Sequence, residues 1–268
     1  MRIYAMGLTY ASHCWDIGET AQRVVFEKRC VPTQGSAHVA VPDEIALHAA
    51  VHDLDPPMAD WLRENRLLID PLLDYEVELG LALLEDVDLT RLADRSWTPR
   101  IGFFIANDVT ARAVQICGEG SHDRQRFWSA AKSFAGFLPV SERYWTPDSP
   151  SVDGLLADRL ETRVNDGLRQ SASTLDLMWT VPDILRIVCE ATGQRTLTRD
   201  TWILTGTPAG VTLKAKSWQR RMLAALPRRL AVRLALTASS RKSAFLRPDD
   251  KVDCHAKSTK LTTDVTVV

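Results

Sequence analysis

Glu76, Glu78 and Asp108 are carboxylates on two short stretches that read as strand, and oxygen donors of this kind are what a hard divalent cation takes from a protein. In Asp74-Tyr75-Glu76-Val77-Glu78-Leu79 polar and apolar residues alternate. The two-residue period of a strand then puts both glutamates on one face and Tyr75, Val77 and Leu79 on the other. Adjacent like charges repel, so the pair is tolerated where a cation, a shared proton or an arginine neutralises it. An isolated Glu-x-Glu is more often a solvated strand face. Here a second signal supports the metal-binding reading: the apolar run 101–107 ends on Asp108 and passes into a helix start at 109–115. An acid where an apolar strand stops is a common place for a functional group.

Several separate blocks resemble the fumarylacetoacetate hydrolase family, in the family's order. They are Gly7-Leu8-Thr9-Tyr10 running to His13, Tyr75-Glu76-Val77-Glu78-Leu79, Ala106-Asn107-Asp108 running to Arg112 and Gln115, and Lys132-Ser133-Phe134. They continue with residues 164–170, Val181-Pro182, and residues 203–210 around Thr205-Gly206-Thr207-Pro208. The resemblance covers most of residues 1–211 and, more loosely, 245–268. It implies that Glu76, Glu78 and Asp108 hold Mg²⁺ (or Mn²⁺), with about three octahedral positions left for water or a chelating substrate.

The resemblance also implies roles for neighbouring residues. Lys132 is a compact ammonium suited to a developing enolate or a substrate carboxylate. Arg112 and Gln115, three apart on one helical face, point toward substrate. Gly206 and Thr207 offer a backbone N–H and a hydroxyl to a substrate oxygen. His13 and Asp16 stand where relatives carry a His and a Glu on a mobile N-terminal helix, and are expected to activate water. Asp is one methylene shorter than Glu, so the contact between the two must close differently. The chain also departs from the family at Ala113, where relatives have Asp, and at Thr9, where they have Asn. Both departures bear on the choice of substrate.

The elements that must position these groups are visible in outline. Strand-like runs fall at 39–41, 75–83, 102–106, 160–165, 201–204 and 251–256, and helical patterns at 44–51, 59–66 and 182–191. Pro182 suits a first helical turn and Gly193 a stop. Interleaved strands with few helices predict an α+β, mainly β unit. The resemblance specifies it as the rolled mixed β-sandwich of the fumarylacetoacetate hydrolase fold, usually a dimer. One domain is expected over 1–268, with an N-terminal lid and strands over 1–42.

The chain has 268 residues, 45% of them hydrophobic and 25% charged, a balance that fits a compact folded unit. The N-terminus lacks a signal-peptide pattern, and no segment approaches the roughly 20 apolar residues that span a bilayer. A cytoplasmic protein with no transmembrane segment is expected. Cys14, Cys30, Cys117, Cys189 and Cys254 are scattered singly, which argues against disulfides and a thiolate zinc site. His48 and His52 are read as helix-surface residues.

Residues 212–244 stand apart as a basic helical insertion. They carry nine Lys and Arg and no acid, so with a total of −1 the rest of the chain carries −10. Trp218, Met222, Leu223 and Leu226 recur at helical spacing, and Pro227 interrupts before Leu230, Leu234 and Leu236, which predicts two amphipathic helices. A pair docked on the acidic body is weighed against an anionic partner, such as lipid, a substrate or a carrier.

The combined expectation is a Mg²⁺-dependent hydrolase that cleaves a C–C bond in an acylpyruvate-like or β-diketo acid through a metal-stabilised enolate. The partners expected are this small keto acid and a second copy of the chain, with no nucleic acid. The alternative is a decarboxylase, hydratase, isomerase or cyclase acting on a 2-oxo acid at the same metal site. A non-catalytic binding scaffold is a further reading.

Overall fold

The computed structural model describes residues 1–17, 20, 22–94, 99–147, 157–214, 217–242 and 244–268. The chain opens with β1 (Arg2–Gly7), α1 (Ala11–Ile17), β2 (Val24–Glu27), β3 (Thr33–Gln34) and β4 (Ala37–Val39), then α2 (Glu44–His52) and α3 (Pro56–Glu64). The central stretch is β5 (Leu73–Asp74), β6 (Val77–Leu83), β7 (Val87–Asp88), β8 (Ile101–Asn107), β9 (Thr110–Ala111), α4 (Arg112–Cys117), α5 (Arg124–Ala131) and β10 (Pro139–Val140). It ends with β11 (Arg159–Val164), β12 (Gly167–Ser173), α6 (Val181–Thr192), β13 (Thr196–Leu197), β14 (Thr201–Leu204), α7 (Ser217–Ala224), α8 (Arg228–Ser239), β15 (Lys251–Ala256) and β16 (Thr262–Val267).

Seven strands form a mixed sheet in the order β2-β1-β14-β6-β8-β10-β3, and five form a second in the order β12-β11-β15-β16-β4. The α+β expectation holds, with helix and strand in roughly equal share. The predicted strands and helices all appear, displaced by a few residues at most. Pro182 lies in the first turn of α6, and Gly193 closes that helix in the left-handed conformation at φ 68°, where glycine costs least.

Alternation along β6 and β8 sorts their side chains between two apolar layers. Tyr75, Val77, Leu79, Phe103 and Ile105 join the main core with Leu160, Val252 and Val265 of the second sheet. Ala82, Phe104 and Ala106 face the other way, packing with Ile3, Trp202, Cys14 of α1 and Trp128 of α5. Glu76, Glu78 and Asp108 share the parity of this second face, so the carboxylates lie on the side covered by α1 and α5. Gly80 is needed there because a Cβ would sit 2.2 Å from the Phe104 ring.

The insertion forms α7 and α8, broken at Pro227 as the spacing predicts. Val232 and Leu236 are buried, and Arg228 anchors α8 by donating to Asp55 Oδ2 at 2.5 Å and to the Cys117 carbonyl at 2.6 Å. Lys216 lies outside the described residues. His48 corrects one expectation: it is 4% exposed, not a surface residue. Its helix packs against α3, which buries that face, and the pKa of His48 is lowered by burial and then by Arg63. All five cysteines are free and buried.

Candidate metal and keto-acid site

Antiparallel pairing of β6 with β8 sets Val77 opposite Asn107, which brings the residues just outside that pair, Glu76 and Asp108, together. The Asp108 N–H donates to the Glu76 carbonyl at 2.8 Å, and the Asn107 side chain accepts from the Glu76 N–H at 3.1 Å. One ligand oxygen from each of Glu76, Glu78 and Asp108 lies within 4.8 Å of the others, and all three residues are buried. An all-oxygen, all-carboxylate set of this size fits a hard divalent cation.

The chain's own cations occupy part of the cluster. Lys132, which caps the C-terminus of α5, places Nζ 2.5 Å from Glu76 Oε2 and 2.6 Å from Asp108 Oδ2. Arg112, at the start of α4, donates from Nη2 to Glu76 Oε1 at 2.5 Å, from Nε to Asp74 Oδ2 at 2.8 Å and from Nη1 to Gln115 Oε1 at 2.7 Å. The pair expected to face substrate thus also fixes the orientation of Glu76. Gly206 donates its N–H to Glu78 Oε2 at 2.8 Å, and the Thr207 hydroxyl is engaged with the Val77 carbonyl and the Gln170 amide. The loop that was expected to hold a substrate oxygen is used in this state to fix Glu78 and the edge of β6. Gly206 adopts φ 91° there, and a Cβ would meet the Thr9 hydroxyl at 2.3 Å.

These contacts split the titration of the acids. Burial opposes the charge of Glu76, but Lys132 and Arg112 outweigh it and its pKa is lowered. Glu78 is pushed well above the ordinary carboxylate range by burial and then by the charge of Asp108. Burial also opposes the charge of Lys132, yet Asp108, Glu76 and Glu78 prevail and raise it to about 12. Lys28, Arg112 and Lys132 pair with Asp74, Glu76 and Asp108, and Glu78 is the acid of the cluster left without such a partner among the described residues. A bound cation would favour its ionised form.

His13 and Asp16 both sit on α1, but they do not form a hydrogen-bonded pair here. His13 Nδ1 is buried without a hydrogen-bond partner among the described residues. Its pKa is lowered chiefly by burial, against the charge of Glu76. Asp16 Oδ2 instead accepts from the Gly210 N–H at 3.3 Å and pairs with Lys214 Nζ at 2.7 Å. The shorter aspartate reaches the loop and the root of the insertion.

Three residues of the site were not anticipated. Lys28 Nζ pairs with Asp108 Oδ1 at 2.5 Å, with no side-chain exposure, and also donates to the Lys132 carbonyl. The signal was its parity: Val24, Phe26 and Lys28 are the buried positions of an alternating β2 segment. Asp74 accepts from Arg112 and from the N–H groups of Thr212 and Leu213. Gln170 ties β12 to Val77, Thr207 and Pro208. Gln170 lies inside a block that carried the resemblance and Asp74 one residue before another, and their buried contacts are long-range.

The chain is 36% identical over 146 residues to an uncharacterised protein of Archaeoglobus fulgidus, covering 53% of this chain and 51% of the relative, about half its length. It is 34% identical over 187 residues to the mitochondrial oxaloacetate tautomerase FAHD1 of Mus musculus, covering 68% of this chain and 79% of that protein. Fumarylpyruvate hydrolase from Pseudomonas aeruginosa, crystallised with Mn²⁺ and pyruvate, shares the fold at TM-score 0.60 and 17% identity, covering 100% of this chain and 89% of that one. Residues 2–266 match the family described as fumarylacetoacetate (FAA) hydrolase C-terminal, and with its acidic cluster in that fold the chain belongs to this family.

Proposed function

We propose that the chain is a divalent-cation-dependent enzyme that interconverts keto and enol forms of a 2-oxo acid. The isomerase reading is preferred because His13 is half-buried, with its Nδ1 enclosed and without a hydrogen-bond partner among the described residues, and close enough to feel the charges of Glu76, Arg112 and Lys132, while Asp16 is engaged elsewhere. Moving a proton between carbon and oxygen needs one positioned base. Activating water for C–C cleavage calls for more.

Glu76, Glu78 and Asp108 would hold the cation, Mg²⁺ or Mn²⁺, which supplies Lewis acidity toward the oxygens of a chelating keto acid. The remaining work falls to the chain itself. Lys132 presents an ammonium, kept charged by its carboxylate neighbours, to negative charge developing on the substrate. Arg112 and Gln115 keep Glu76 in place and line the approach, Gly206 fixes Glu78, and Thr207 holds the neighbouring Val77 backbone. His13, neutral because burial depresses its pKa, accepts and returns the proton. Charge developing inside a buried site is stabilised more strongly than in water.

C–C bond hydrolysis of an acylpyruvate or β-diketo acid is the second reading, favoured by the three-residue spacing of His13 and Asp16 on α1. It requires Asp16 to leave Lys214. We extend the same reading to a homodimer and to residues 1–268 working as one unit, with 1–42 contributing the lid. Exposed Arg221, Arg229 and Arg233 on α7 and α8 support an anionic partner for the insertion. Among the described residues no helix is long and apolar enough to cross a membrane.

The test follows enol absorbance of oxaloacetate and of acylpyruvates with Mg²⁺ or Mn²⁺, on wild type beside Glu76→Ala. Cation-dependent decay of the enol without release of a cleaved acid supports the isomerase, and release supports the hydrolase. An enol signal that decays equally in Glu76→Ala, or not at all, overturns both.

A further inference from the structure

The root of the insertion is wired to the site from two sides. On one side Thr212 and Leu213 donate backbone N–H groups to Asp74, whose carboxylate holds Arg112 and, through it, Glu76. On the other, the next residue, Lys214, reaches Asp16 on α1 at 2.7 Å. The two ends of the insertion are pinned together, with Thr212 Oγ1 donating to the Ala244 carbonyl at 3.2 Å and Lys242 Nζ to the Lys214 carbonyl at 3.3 Å. The base of the insertion is thereby fixed before α7 begins.

The helix it touches is thinly anchored. Among its seven residues α1 buries only Cys14, and Trp15 is 89% exposed. It follows Leu8, a bulky residue at φ 61°, where a left-handed turn redirects the chain from β1. Few buried contacts mean a low local opening free energy. Beside the packing of Cys14 and Ile17 into the second apolar layer, the bonds from Asp16 to Lys214 and to the Gly210 N–H hold α1, and with it His13, against the carboxylates.

We propose that Lys214 is a positioning residue that latches α1 over the site through Asp16, so that the insertion sets how firmly the site closes. The proposal rests on the assignment of His13 to proton transfer only for its kinetic consequence; the latch itself is independent of that assignment. Lys214 touches no reacting atom and acts through Asp16 and α1.

The direct readout is hydrogen exchange of the α1 amides, measured by mass spectrometry on the full chain without metal or substrate. Lys214→Ala is expected to speed exchange over residues 14–17 about threefold, the range of a half-exposed ion pair. Lys214→Arg keeps the wild-type rate, and high salt brings wild type toward the alanine variant. In turnover, Lys214→Ala lowers kcat with little change in KM, and Lys214→Arg restores it. Unchanged α1 exchange in Lys214→Ala, or an arginine variant that behaves as the alanine one, overturns the latch. Faster α1 exchange in a protein whose wild type turns over no 2-oxo acid keeps the latch and removes the proposed function instead.

Discussion

Arg112 and Asp74 form a buried ion pair, Nε to Oδ2 at 2.8 Å, with side-chain exposures of 6% and 0%, and this pair ties the insertion to the carboxylate cluster. Removing one member of such a pair leaves a charge in low dielectric, at a cost of about 3–5 kcal/mol. Asp74→Ala should lose stability on that scale in urea titrations. It should also weaken Mn²⁺ binding, because Arg112 is then free to rotate away from Glu76. Asp74→Asn retains an acceptor for the Thr212 N–H and should fall between wild type and Asp74→Ala.

Glu78→Gln separates folding from metal binding. Its carboxylate lies beside those of Glu76 and Asp108 and accepts one backbone bond, from Gly206, which an amide oxygen can accept as well. Burial and the charge of Asp108 oppose the ionised form of Glu78, and a glutamine carries no charge to be opposed. The variant should therefore melt at or above the wild-type temperature without metal. Calorimetric titration with Mn²⁺ should show affinity falling at least about tenfold, the scale for a lost ligand or its close support, and the melting-temperature gain with metal should shrink accordingly.

His13→Gln bears on the proton-transfer step. A positioned base contributes about 10²- to 10⁴-fold, so the cation-dependent enol decay should drop within that range while Mn²⁺ affinity is kept. Because burial lowers the His13 pKa from 6.5, the imidazole stays neutral into more acidic solution. The acid limb of the wild-type rate profile should lie below pH 6.5 and vanish in the variant. A limb that persists in His13→Gln would assign it to another group.

Asp158 gives a stability test remote from the cluster. It accepts from the N–H groups of Arg159, Ser258 and Thr259 and from the Thr259 hydroxyl, at 2.7, 2.7, 3.0 and 2.9 Å. Burial opposes its charge, but these donors prevail and its pKa is lowered from 3.8. A depressed carboxylate contributes stability that is fully present above the unfolded value and lost as pH falls through the folded one. Asp158→Asn should thus cost about 1–3 kcal/mol at neutral pH, with the gap to wild type closing below about pH 4.

The parts of this molecule legible in its sequence are those with local periodicity. Alternation in residues 74–79 gave the face of Glu76 and Glu78, and Pro227 gave the break between α7 and α8. What stayed hidden depends on pairs distant in the chain. Lys28 meets Asp108 across 80 residues, and Asp16 meets Lys214 across 198 positions of sequence. No spacing rule along one strand or helix encodes such contacts, because sheet order decides them. His48 was misplaced for a related reason: the face of α2 that carries it is covered by α3, and a short helix with mixed residues does not announce which face that will be.

Arg228 provides the last prediction, on how α8 is held. Its guanidinium pairs with Asp55 at 2.5 Å, donates to the Cys117 carbonyl at 2.6 Å and lies 5.9 Å from the Phe127 ring centroid. Cys117 beneath it is fully buried, and burial pushes its thiol up to about 12, so wild-type protein should react slowly there with a thiol reagent. Arg228→Ala removes the charged bond, the carbonyl bond and the stem packing together, a loss of about 2–4 kcal/mol, and loosens α8 from α4. Labelling of Cys117, followed by peptide mapping, should then accelerate while Cys189 and Cys254, buried away from α8, keep their wild-type rates. Acceleration at all the cysteines alike would instead mean global unfolding, and none at Cys117 would mean that Val232 and Leu236 hold the helix without the arginine.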